Sequence, residues 1–468
     1  MQVVRTKYNI AIAGGGPAGA VAAALLARLG YRVALANLPS KQTRIEGLSP
    51  RIADVLTTNG IAFDGVSAPS QRRVDWGSFQ GDQNVEQIVD RSVFDASLLA
   101  QAERDGVDIY RQRVVSILPE SGHICLEGGH ICLEGGQILH SDLLIEARGR
   151  RAPRLRDAGY ARDKQIGPNN LSVAGIIPAD SKVTLPAGSH IQARPNGWIW
   201  RAGLPDGRVW QQIVTDSTAA KSGLKSGART RVEALWHHAQ EGAEAVPLPH
   251  HPVVGSAGLR LNAPRLDPRC LRLGDAAVAL DPLSGHGMFW AVSSALMMPA
   301  MVRAVMNGQT HLAAAFYQNR VIDTFLRQAR IGRDFYKESG FDGAFWTRRR
   351  SWPDHAPAHP TIGAPRIERR VLCQNGALTQ AAVLVTEMDV SGVGFVMGHE
   401  IVPILRRIGR RPLPPLADFQ TQIVPTLLPQ QAEALHGWLT HRGLASRPAQ
   451  QDYNSDRENA KCDTRPAA

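Results

Sequence analysis

One ordered stretch of the chain carries an acid, a proline and closely spaced glycines between a short apolar segment and an apolar helix. It runs Leu273-Gly-Asp-Ala-Ala-Val-Ala-Leu-Asp-Pro-Leu-Ser-Gly-His-Gly-Met288 and continues into Phe289-Trp-Ala-Val. Pro282, Gly285 and Gly287 let the backbone approach a flat group without side chains in between. The helix begins at these glycines, so its unpaired N–H groups and positive dipole end face the loop and suit a group that becomes anionic. Asp275 is placed to accept hydrogen bonds from a polyol, unless the stretch is an ordinary strand–loop–helix connection.

The N-terminal segment has the spacing of a dinucleotide-binding βαβ unit. Residues 8–13 predict a strand, Gly14-Gly-Gly-Pro-Ala-Gly19 a tight turn, the residues through Leu29 a helix, and 31–36 a second strand. Gly14 permits the turn, Gly16 lets a pyrophosphate lie against backbone, and Gly19 allows close packing of helix on strand. Asn37 stands where such units usually carry an acid for the ribose, so that contact would have no charge.

Together with Val89-Asp-Arg91-Ser-Val-Phe94-Asp95, these two stretches resemble the fingerprints of the p-hydroxybenzoate-hydroxylase-like flavoproteins. The resemblance covers residues 8 to 305 and implies FAD as the cofactor, with a flavin hydroperoxide as the oxygenating species. The residues that it assigns to FAD are Gly14, Gly16, Pro17, Ala18, Gly19, Asn37, Arg44, Arg91, Gly274, Asp275, Pro282, Gly285, Gly287 and Met288.

The same resemblance implies an α/β protein. Its parts are a glutathione-reductase-type FAD-binding Rossmann domain, an inserted β-sheet substrate layer and a C-terminal helical domain. The FAD-binding domain is expected over 1–72, 89–170 and 252–305, and the substrate layer over 73–88 and 171–251. A helical cap is predicted over 306–445 and a disordered polar tail over 446–468. Residues 123–136 repeat His-Ile-Cys-Leu-Glu-Gly-Gly twice, which we interpret as a duplication in a β-meander without a functional role.

Two side chains are candidates for catalysis. His286 interrupts the glycines beside the flavin, and the usual pKa of histidine permits proton exchange near neutral pH. By the resemblance, the segment Lys41–Arg51 lies beside the isoalloxazine and the pyrophosphate, with Arg44 at a phosphate and Glu46 near the ring. The alternatives are a histidine that only bonds a neighbouring loop, and a glutamate in a solvated loop.

The predicted substrate layer contains Trp198 and Trp200, which are two residues apart and therefore point to one face of a strand. We expect them to line the substrate pocket. Their segment resembles a Trp-x-Trp motif of flavin-dependent halogenases. A halogenase of that branch needs a lysine in its substrate layer, however, and the chain has no lysine between Lys41 and Lys164. Halogenation is therefore disfavoured.

These features resemble a narrower group of flavin monooxygenases, which hydroxylate a tryptophan of the small subunit of quinohemoprotein amine dehydrogenase during tryptophylquinone biogenesis. This resemblance implies a partner polypeptide as substrate, together with molecular oxygen and an electron donor. A small-molecule aromatic hydroxylase, a halogenase-like enzyme, an FAD-dependent reductase and a non-catalytic flavin-binding chaperone are the alternatives. Oxygen uptake coupled to product oxygenation distinguishes a monooxygenase from a reductase.

The net charge of +11 favours an acidic partner. Arginines cluster at Arg148, Arg150, Arg151, Arg154 and Arg156, with further groups at Arg348–Arg350 and Arg369–Arg370. The first cluster is either a solvated basic face or a docking surface. We expect no nucleic-acid partner.

The five cysteines show no C-x-x-C and no metal-ligand spacing, so we expect reduced thiols, no metal site and a cytoplasmic location. The first strand starts within ten residues of Met1, which leaves no room for a secretory signal. The apolar run Met288–Val305 contains Arg303 and is predicted to be a core helix, too short to span a membrane.

Overall fold

The computed structural model of the protein describes residues 7–39, 42–118, 129–134, 137–152, 165–178, 181, 183–218, 227–243, 246–359, 364–409 and 412–444. The chain divides into two compact units, residues 1–358 and residues 359–468. The predicted partition began the C-terminal cap at residue 306, whereas the long helix after that residue belongs to the first unit. The predicted tail at 446–468 and residues 123–128 and 135–136 of the tandem repeat lie outside the described residues.

The strands of the first unit are β1 (Lys7–Ala13), β2 (Val33–Ala36), β3 (Ile45–Leu48), β4 (Ser70–Trp76), β5 (Phe79–Asp90), β6 (Asp108–Tyr110), β7 (Val114–Leu118), β8 (Gly129–Leu133), β9 (Ile138–Glu146), β10 (Gln165–Ile166), β11 (Asn170–Ile176), β12 (Gly188–Arg194), β13 (Gly197–Gly203), β14 (Val209–Asp216), β15 (Val253–Ser256), β16 (Arg260–Leu261), β17 (Cys270–Arg272) and β18 (Val278–Ala279). Its helices are α1 (Pro17–Arg28), α2 (Pro50–Thr58), α3 (Arg91–Arg104), α4 (Ala228–Ala239), α5 (Gly287–Leu296), α6 (Met298–Met306), α7 (Thr310–Lys337) and α8 (Ala344–Arg350).

The nucleotide-binding half is a seven-stranded sheet in the order β6-β2-β1-β9-β8-β7, with β17 also paired to β9. The pairs β1–β2, β1–β9, β2–β6 and β9–β17 are parallel, while β7, β8 and β9 form an antiparallel meander. Parallel strands covered on both faces read as continuous apolar runs, and β2 is buried at every position. The predicted Rossmann-type βαβ unit is confirmed.

The second sheet has eight strands in the order β15-β11-β14-β13-β12-β4-β5-β3. The 73–88 segment was predicted to join the strands at 171–215. It does so through β4, which runs parallel to β12 with Arg72 opposite Ser189. The segment Lys41–Arg51 was predicted to be a polar loop, but its residues 45–48 form β3, paired with β5 at the sheet edge. This strand therefore links the two halves of the first unit.

The two faces of this sheet are covered differently. One face packs Val173, Ile199 and Ile213 against Trp236 of α4. The other face carries a large aromatic cluster, completed by side chains from α7 and α8 such as Tyr336 and Trp346. Because neighbouring residues of a strand point to opposite faces, this division follows from the alternation along each strand.

The stretch Gly287–Met306, formed by α5 and α6, is the one candidate membrane span among the described residues, and 67% of it is buried inside the protein. At 20 residues it is long enough to cross a bilayer, so the argument from short length was wrong. Its burial, partly against α1, is that of the core helix that was predicted, since Met298, Met301 and Val302 are fully covered.

The second unit contains β19 (Arg366–Gln374), β20 (Ala377–Val385), β21 (Phe395–Val396), β22 (His399–Glu400), α9 (Ile401–Ile408), α10 (Leu416–Asp418), a π-helical turn at Phe419–Ile423 and α11 (Pro429–His441). The C-terminal region is helical as expected. Sequence analysis missed the β19–β20 hairpin, whose turn residues Asn375 and Gly376 both have positive φ. The core joins Leu384 of this hairpin to Ile401, Phe419 and Leu435.

Candidate active site

The turn between β1 and α1 leaves an open helix end. Gly14 has φ +109°, and a Cβ there would lie 2.5 Å from the carbonyl oxygen of Ala147, so only glycine fits. A Cβ on Gly19 would lie 1.9 Å from the oxygen of Gly14, which explains the close packing of helix on strand. Helix α1 has Gly16 at its N-cap, with no capping side chain and no acid in the first turn. Its N–H groups are therefore available to an anion.

Asn37 is already engaged with this turn, because its side-chain oxygen accepts a hydrogen bond from the Gly15 N–H at 3.1 Å. Asn37 thus fixes the conformation of the glycine turn between β1 and α1. The ribose contact that was predicted for Asn37 stays a prediction.

Arg91, the first residue of α3, is the centre of a partly buried charge cluster beside that helix end. Its guanidinium bonds Glu46 at 2.9 Å and Asp95 at 2.8 and 2.9 Å, and its side chain is 13% exposed. A Cβ on Gly16 would have the Arg91 Nη2 atom, at 3.9 Å, as its nearest neighbour. A positive charge therefore lies next to the open N–H groups, which suits a pyrophosphate.

Glu46 is held in this cluster by two arginines, since Arg44 also lies 2.9 Å from its carboxylate. Burial opposes ionisation of Glu46, but the charges of Arg91 and Arg44 and the Arg91 hydrogen bond outweigh it, so its pKa is below the usual value. An ion-paired carboxylate positions Arg91 better than it exchanges protons. The catalytic role of Glu46 stays a prediction, as does the phosphate contact of Arg44.

The second fingerprint reaches the same place through the turn Gly274–Ala276. A Cβ on Gly274 would lie 2.9 Å from the Cβ of Ala18 at the start of α1, so the two glycine segments touch. The turn is held by α5, where Ser294 Oγ accepts from the Gly274 N–H at 2.9 Å and Trp290 Nε1 donates to its carbonyl at 3.0 Å. These two hydrogen bonds were not predicted from the sequence, although Trp290 and Ser294 are four residues apart and therefore lie on one face of the helix.

Asp275 lies 3.2 Å from Arg150, which also donates to the carbonyl of Gly258 at 2.6 Å. Burial raises the pKa of Asp275 against the charge of Arg150, and the charges of Glu46 and Arg91 also act on it. Asp275 and the Arg91 cluster are therefore neighbours, as a shared ligand requires.

This geometry corrects the interpretation of the first arginine cluster as a solvated face or a docking surface. Arg150 is committed to Asp275, and Arg148 forms a bidentate pair with Glu146, which is 2% exposed. Arg154 and Arg156 lie outside the described residues, and Arg151 is exposed. Arg349 is likewise buried, so the 348–350 group is not a free basic surface either.

The loop after β18 is anchored by Asp281, a residue that the sequence analysis quoted but did not assign. Its carboxylate is buried and accepts hydrogen bonds from the Leu283 N–H at 3.0 Å, from Asn170 at 2.8 Å and from the Tyr336 hydroxyl at 3.0 Å. Arg349 in turn bonds Asn170 at 2.6 Å. Helices α7 and α8 thus fix the loop that contains Pro282, Gly285 and His286.

We expect Asp281→Asn to destabilise this loop, because the new amide group would face two or three donors where the carboxylate accepted. Leaving a buried polar group badly paired costs about 1–3 kcal/mol. Thermal unfolding and FAD titration should both show a loss. Asp342→Asn is the control, since Asp342 is 90% exposed and its exposed pair with Arg350 contributes little. Equal behaviour of the two variants would contradict an anchoring role for Asp281.

His286 is exposed at the N-cap of α5, directly after Gly285 with φ +64°. Its Nδ1 atom bonds the carbonyl of Ser284, which can only accept, so the proton is on Nδ1 and Nε2 is left to exchange a proton. A Cβ on Gly287 would meet no atom within 4 Å, and Met288 behind it is buried. The loop is thus open on the side where a ring would lie. A catalytic role for His286 stays a prediction.

Trp198 and Trp200 lie on the same face of β13, as their spacing indicates, and both belong to the aromatic cluster. Trp198 is 2% exposed and Trp200 is 7% exposed, so both are core residues. Trp200 donates its indole N–H toward Glu86 on β5 at 3.4 Å. Their predicted place in a substrate pocket stays a prediction.

The residues at this site fit FAD. An open helix end and a buried arginine face the glycine turn, a polyol acceptor lies at Asp275, and a second uncapped helix begins at Gly287. Among the described residues, no group of three or more His, Cys, Asp or Glu side chains could hold a metal ion.

Comparisons with known proteins show the family of the chain. The family model for tryptophan halogenase matches residues 70–372, well over half of the chain. A tryptophan 2-halogenase from Chondromyces crocatus is 27% identical over 382 residues, which are 73% of this chain and 70% of that protein. A putative FAD-dependent oxidoreductase, LodB, from Marinomonas mediterranea is 24% identical over 74% of this chain and 98% of that protein.

Among solved structures, the fold matches the peptidyl tryptophan dihydroxylase QhpG, described as essential for tryptophylquinone cofactor biogenesis. The TM-score is 0.72 at 31% sequence identity, and the match covers 94% of this chain and 100% of that chain. The chain therefore belongs to the tryptophan halogenase family, and it is an FAD-dependent oxidoreductase of the flavin halogenase and hydroxylase superfamily.

Proposed function

We propose that this chain hydroxylates a tryptophan side chain within a partner polypeptide, in the maturation of a tryptophylquinone cofactor. The observation that carries the proposal is the similarity to a peptidyl tryptophan dihydroxylase over 94% of this chain and 100% of that one. The tryptophan halogenase model ends at residue 372, whereas a match of 94% must include most of residues 359–468. The C-terminal unit is thus shared with a protein that acts on a peptidyl tryptophan.

Halogenation is the second candidate, because the family model and one relative carry that name. The eight-stranded sheet speaks against it, since none of its strands contains a lysine. Arg72, not a lysine, approaches the Gly285 loop from this sheet. A guanidinium remains protonated in proteins, so it cannot act as the neutral amine that a lysine can supply.

Bound and reduced FAD supplies the oxygen-activating chemistry, and the chain supplies position, charge and proton exchange. The Arg91 cluster and the uncapped helix ends hold the cofactor. His286 exchanges a proton through Nε2 at the edge of the open loop. An indole ring is electron-rich, so its hydroxylation needs little beyond correct placement and a proton donor near the reacting oxygen.

The substrate is expected to be the small subunit of an amine dehydrogenase, with a net charge of +11 favouring association with an acidic partner. We expect mass spectrometry of that subunit, after incubation with enzyme, reductant and oxygen, to show one or two added oxygens on one tryptophan. Catalase is included so that free peroxide does not contribute. The same incubation with free tryptophan should give almost no product.

Two further incubations complete the test. A subunit with that tryptophan replaced by phenylalanine should stay unmodified, and added chloride or bromide should give no halogenated indole. Turnover of free tryptophan or a phenol with an unmodified subunit would establish a small-molecule hydroxylase instead. A halogenated product that persists with catalase would establish a halogenase.

A further inference from the structure

The aromatic face of the eight-stranded sheet ends in a polar group that neither fingerprint contains. Glu86 of β5 accepts a hydrogen bond from the Ser189 hydroxyl of β12 and lies 3.4 Å from the Trp200 indole nitrogen of β13. Ser189 lies directly opposite Arg72 of β4. The Glu86 carboxylate is therefore partly buried beside the Trp200 ring, and the positive charge of Arg72 acts on it. We name Arg72, Glu86 and Ser189 the polar end of the sheet.

The polar end faces the backbone segments assigned to the flavin. A Cβ on Gly47 would lie 2.4 Å from Glu86 Oε2, and Gly47 follows Glu46 of the Arg91 cluster directly. A Cβ on Gly285 would have Arg72 Nη1, at 3.9 Å, as its nearest neighbour. The carboxylate and the guanidinium therefore lie between the aromatic cluster and the two glycine segments.

The two oxygens of Glu86 are used differently. Oε1 accepts from Ser189 and approaches Trp200, whereas no described side chain donates a hydrogen bond to Oε2. The Nε atom of Arg72 is also buried without a hydrogen-bond partner among the described residues. Burial raises the pKa of Glu86, although the charge of Arg72 and the Trp200 hydrogen bond oppose the rise. A carboxylate of this kind is a stronger base than an exposed one.

We propose that Glu86 is the proton acceptor for the substrate ring, with Arg72 as its positioning residue. This inference rests on the proposed hydroxylation. Once the ring carbon has received its oxygen, the C–H bond at that carbon breaks and its electron pair restores the aromatic ring. The proton passes to Oε2 of Glu86. The site selects an electron-rich aromatic ring that can lie between the Gly47 and Gly285 segments.

Glu86→Gln tests the inference, because it keeps the shape of the side chain and removes the base. FAD binding and oxygen uptake should persist, while the rate of product formation should fall by about 100-fold or more. In the unchanged enzyme the rate should rise with pH as Glu86 loses its proton, and this rise should be absent in the variant. Glu86→Asp should retain part of the activity. Glu103→Gln, at a half-exposed carboxylate, is the control and should behave like the unchanged enzyme.

A second readout needs neither flavin nor turnover. In the flavin-free protein, ionisation of Glu86 should change the near-ultraviolet absorption of Trp200, with a midpoint above the usual glutamate value of about 4.3. This change should be lost in Glu86→Gln and kept in Glu103→Gln. An unaltered pH–rate profile and an unaltered rate of product formation in Glu86→Gln would overturn the inference. Equal losses of FAD affinity and stability in Glu86→Gln and Ser189→Ala, with an unaltered pH profile, would also overturn it in favour of a packing role.

Failure of the proposed function gives a different result. If the unchanged enzyme leaves the polypeptide unmodified but oxygenates a free indole or phenol, the proposed substrate is wrong. The role of Glu86 is then tested with that free ring as substrate, by the same comparison of Glu86→Gln with the unchanged enzyme. If the unchanged enzyme oxygenates no ring, both proposals fail.

Discussion

Gly16→Val should give a folded protein that purifies without FAD. The nearest atom to a Cβ at this position is Arg91 Nη2 at 3.9 Å, and the backbone at Gly16 has φ −73°, which any residue can adopt. A valine therefore fits the flavin-free protein. Its methyl groups would occupy the space in front of the α1 N–H groups, where the pyrophosphate is expected. We expect at least about 100-fold weaker FAD binding, or roughly 2.7 kcal/mol, by flavin fluorescence titration.

Two other glycine variants serve as controls for Gly16→Val. Gly255→Val, on the edge strand β15 with no atom within 4 Å, should bind FAD normally and unfold normally. Gly19→Val should fail to fold, because its Cβ would lie 1.9 Å from the oxygen of Gly14. A yellow Gly16→Val protein with ordinary affinity would show that the cofactor does not cross this turn.

The parts of the site that sequence could predict are those whose geometry is local. Gly14 and Gly19 lie within one βαβ unit, and their requirement for glycine follows from a turn and a helix packed on a strand in six residues. The hairpin turn at Asn375-Gly376 was equally local and was missed, although this dipeptide between alternating strands is a strong hairpin signal.

The parts that could not be predicted depend on partners distant in sequence. In the sequence, Arg150 is one member of a run of arginines. Only the structure shows that Asp275, 125 positions away, lies 3.2 Å from it. β3 contains only Ile45 and Leu48 as apolar residues, and it becomes a strand because β5 pairs with it. The side chains of α7 and α8 that cover Trp198 come from 138 or more residues later in the chain. The alternation of residues along a strand predicts which side chains share a face. The residues that cover that face are known only from the tertiary structure.

The second large effect is expected at Arg91. Replacement by methionine preserves much of the volume but leaves Glu46 and Asp95 in a partly buried place without the charge that joins them. Removing one partner of a fully buried ion pair costs about 3–5 kcal/mol, and the partial exposure of these two carboxylates lowers that cost. We therefore expect the free energy of unfolding of the flavin-free protein to fall at neutral pH by up to about 3 kcal/mol, and FAD binding to be lost. Arg104→Met, in the exposed last turn of the same helix, should change stability by less than about 0.5 kcal/mol.

The pH dependence separates a lost charge pair from lost packing. Burial opposes ionisation of Glu46, but Arg91 and Arg44 hold its pKa below the usual value, so the ionised form stabilises the folded protein. That contribution is present above the pKa of Glu46 in the unfolded chain and is lost as the pH falls through the lower pKa of the folded state. In Arg91→Met most of it is already absent. The difference between the two proteins in urea unfolding should therefore be largest at neutral pH and shrink under acid conditions. Adding Glu46→Gln to Arg91→Met should restore part of the stability, because it removes a carboxylate that keeps only the exposed Arg44 as its partner. Strictly additive losses, with a difference independent of pH, would mean that Arg91 stabilises the fold by packing and not through its pair with Glu46.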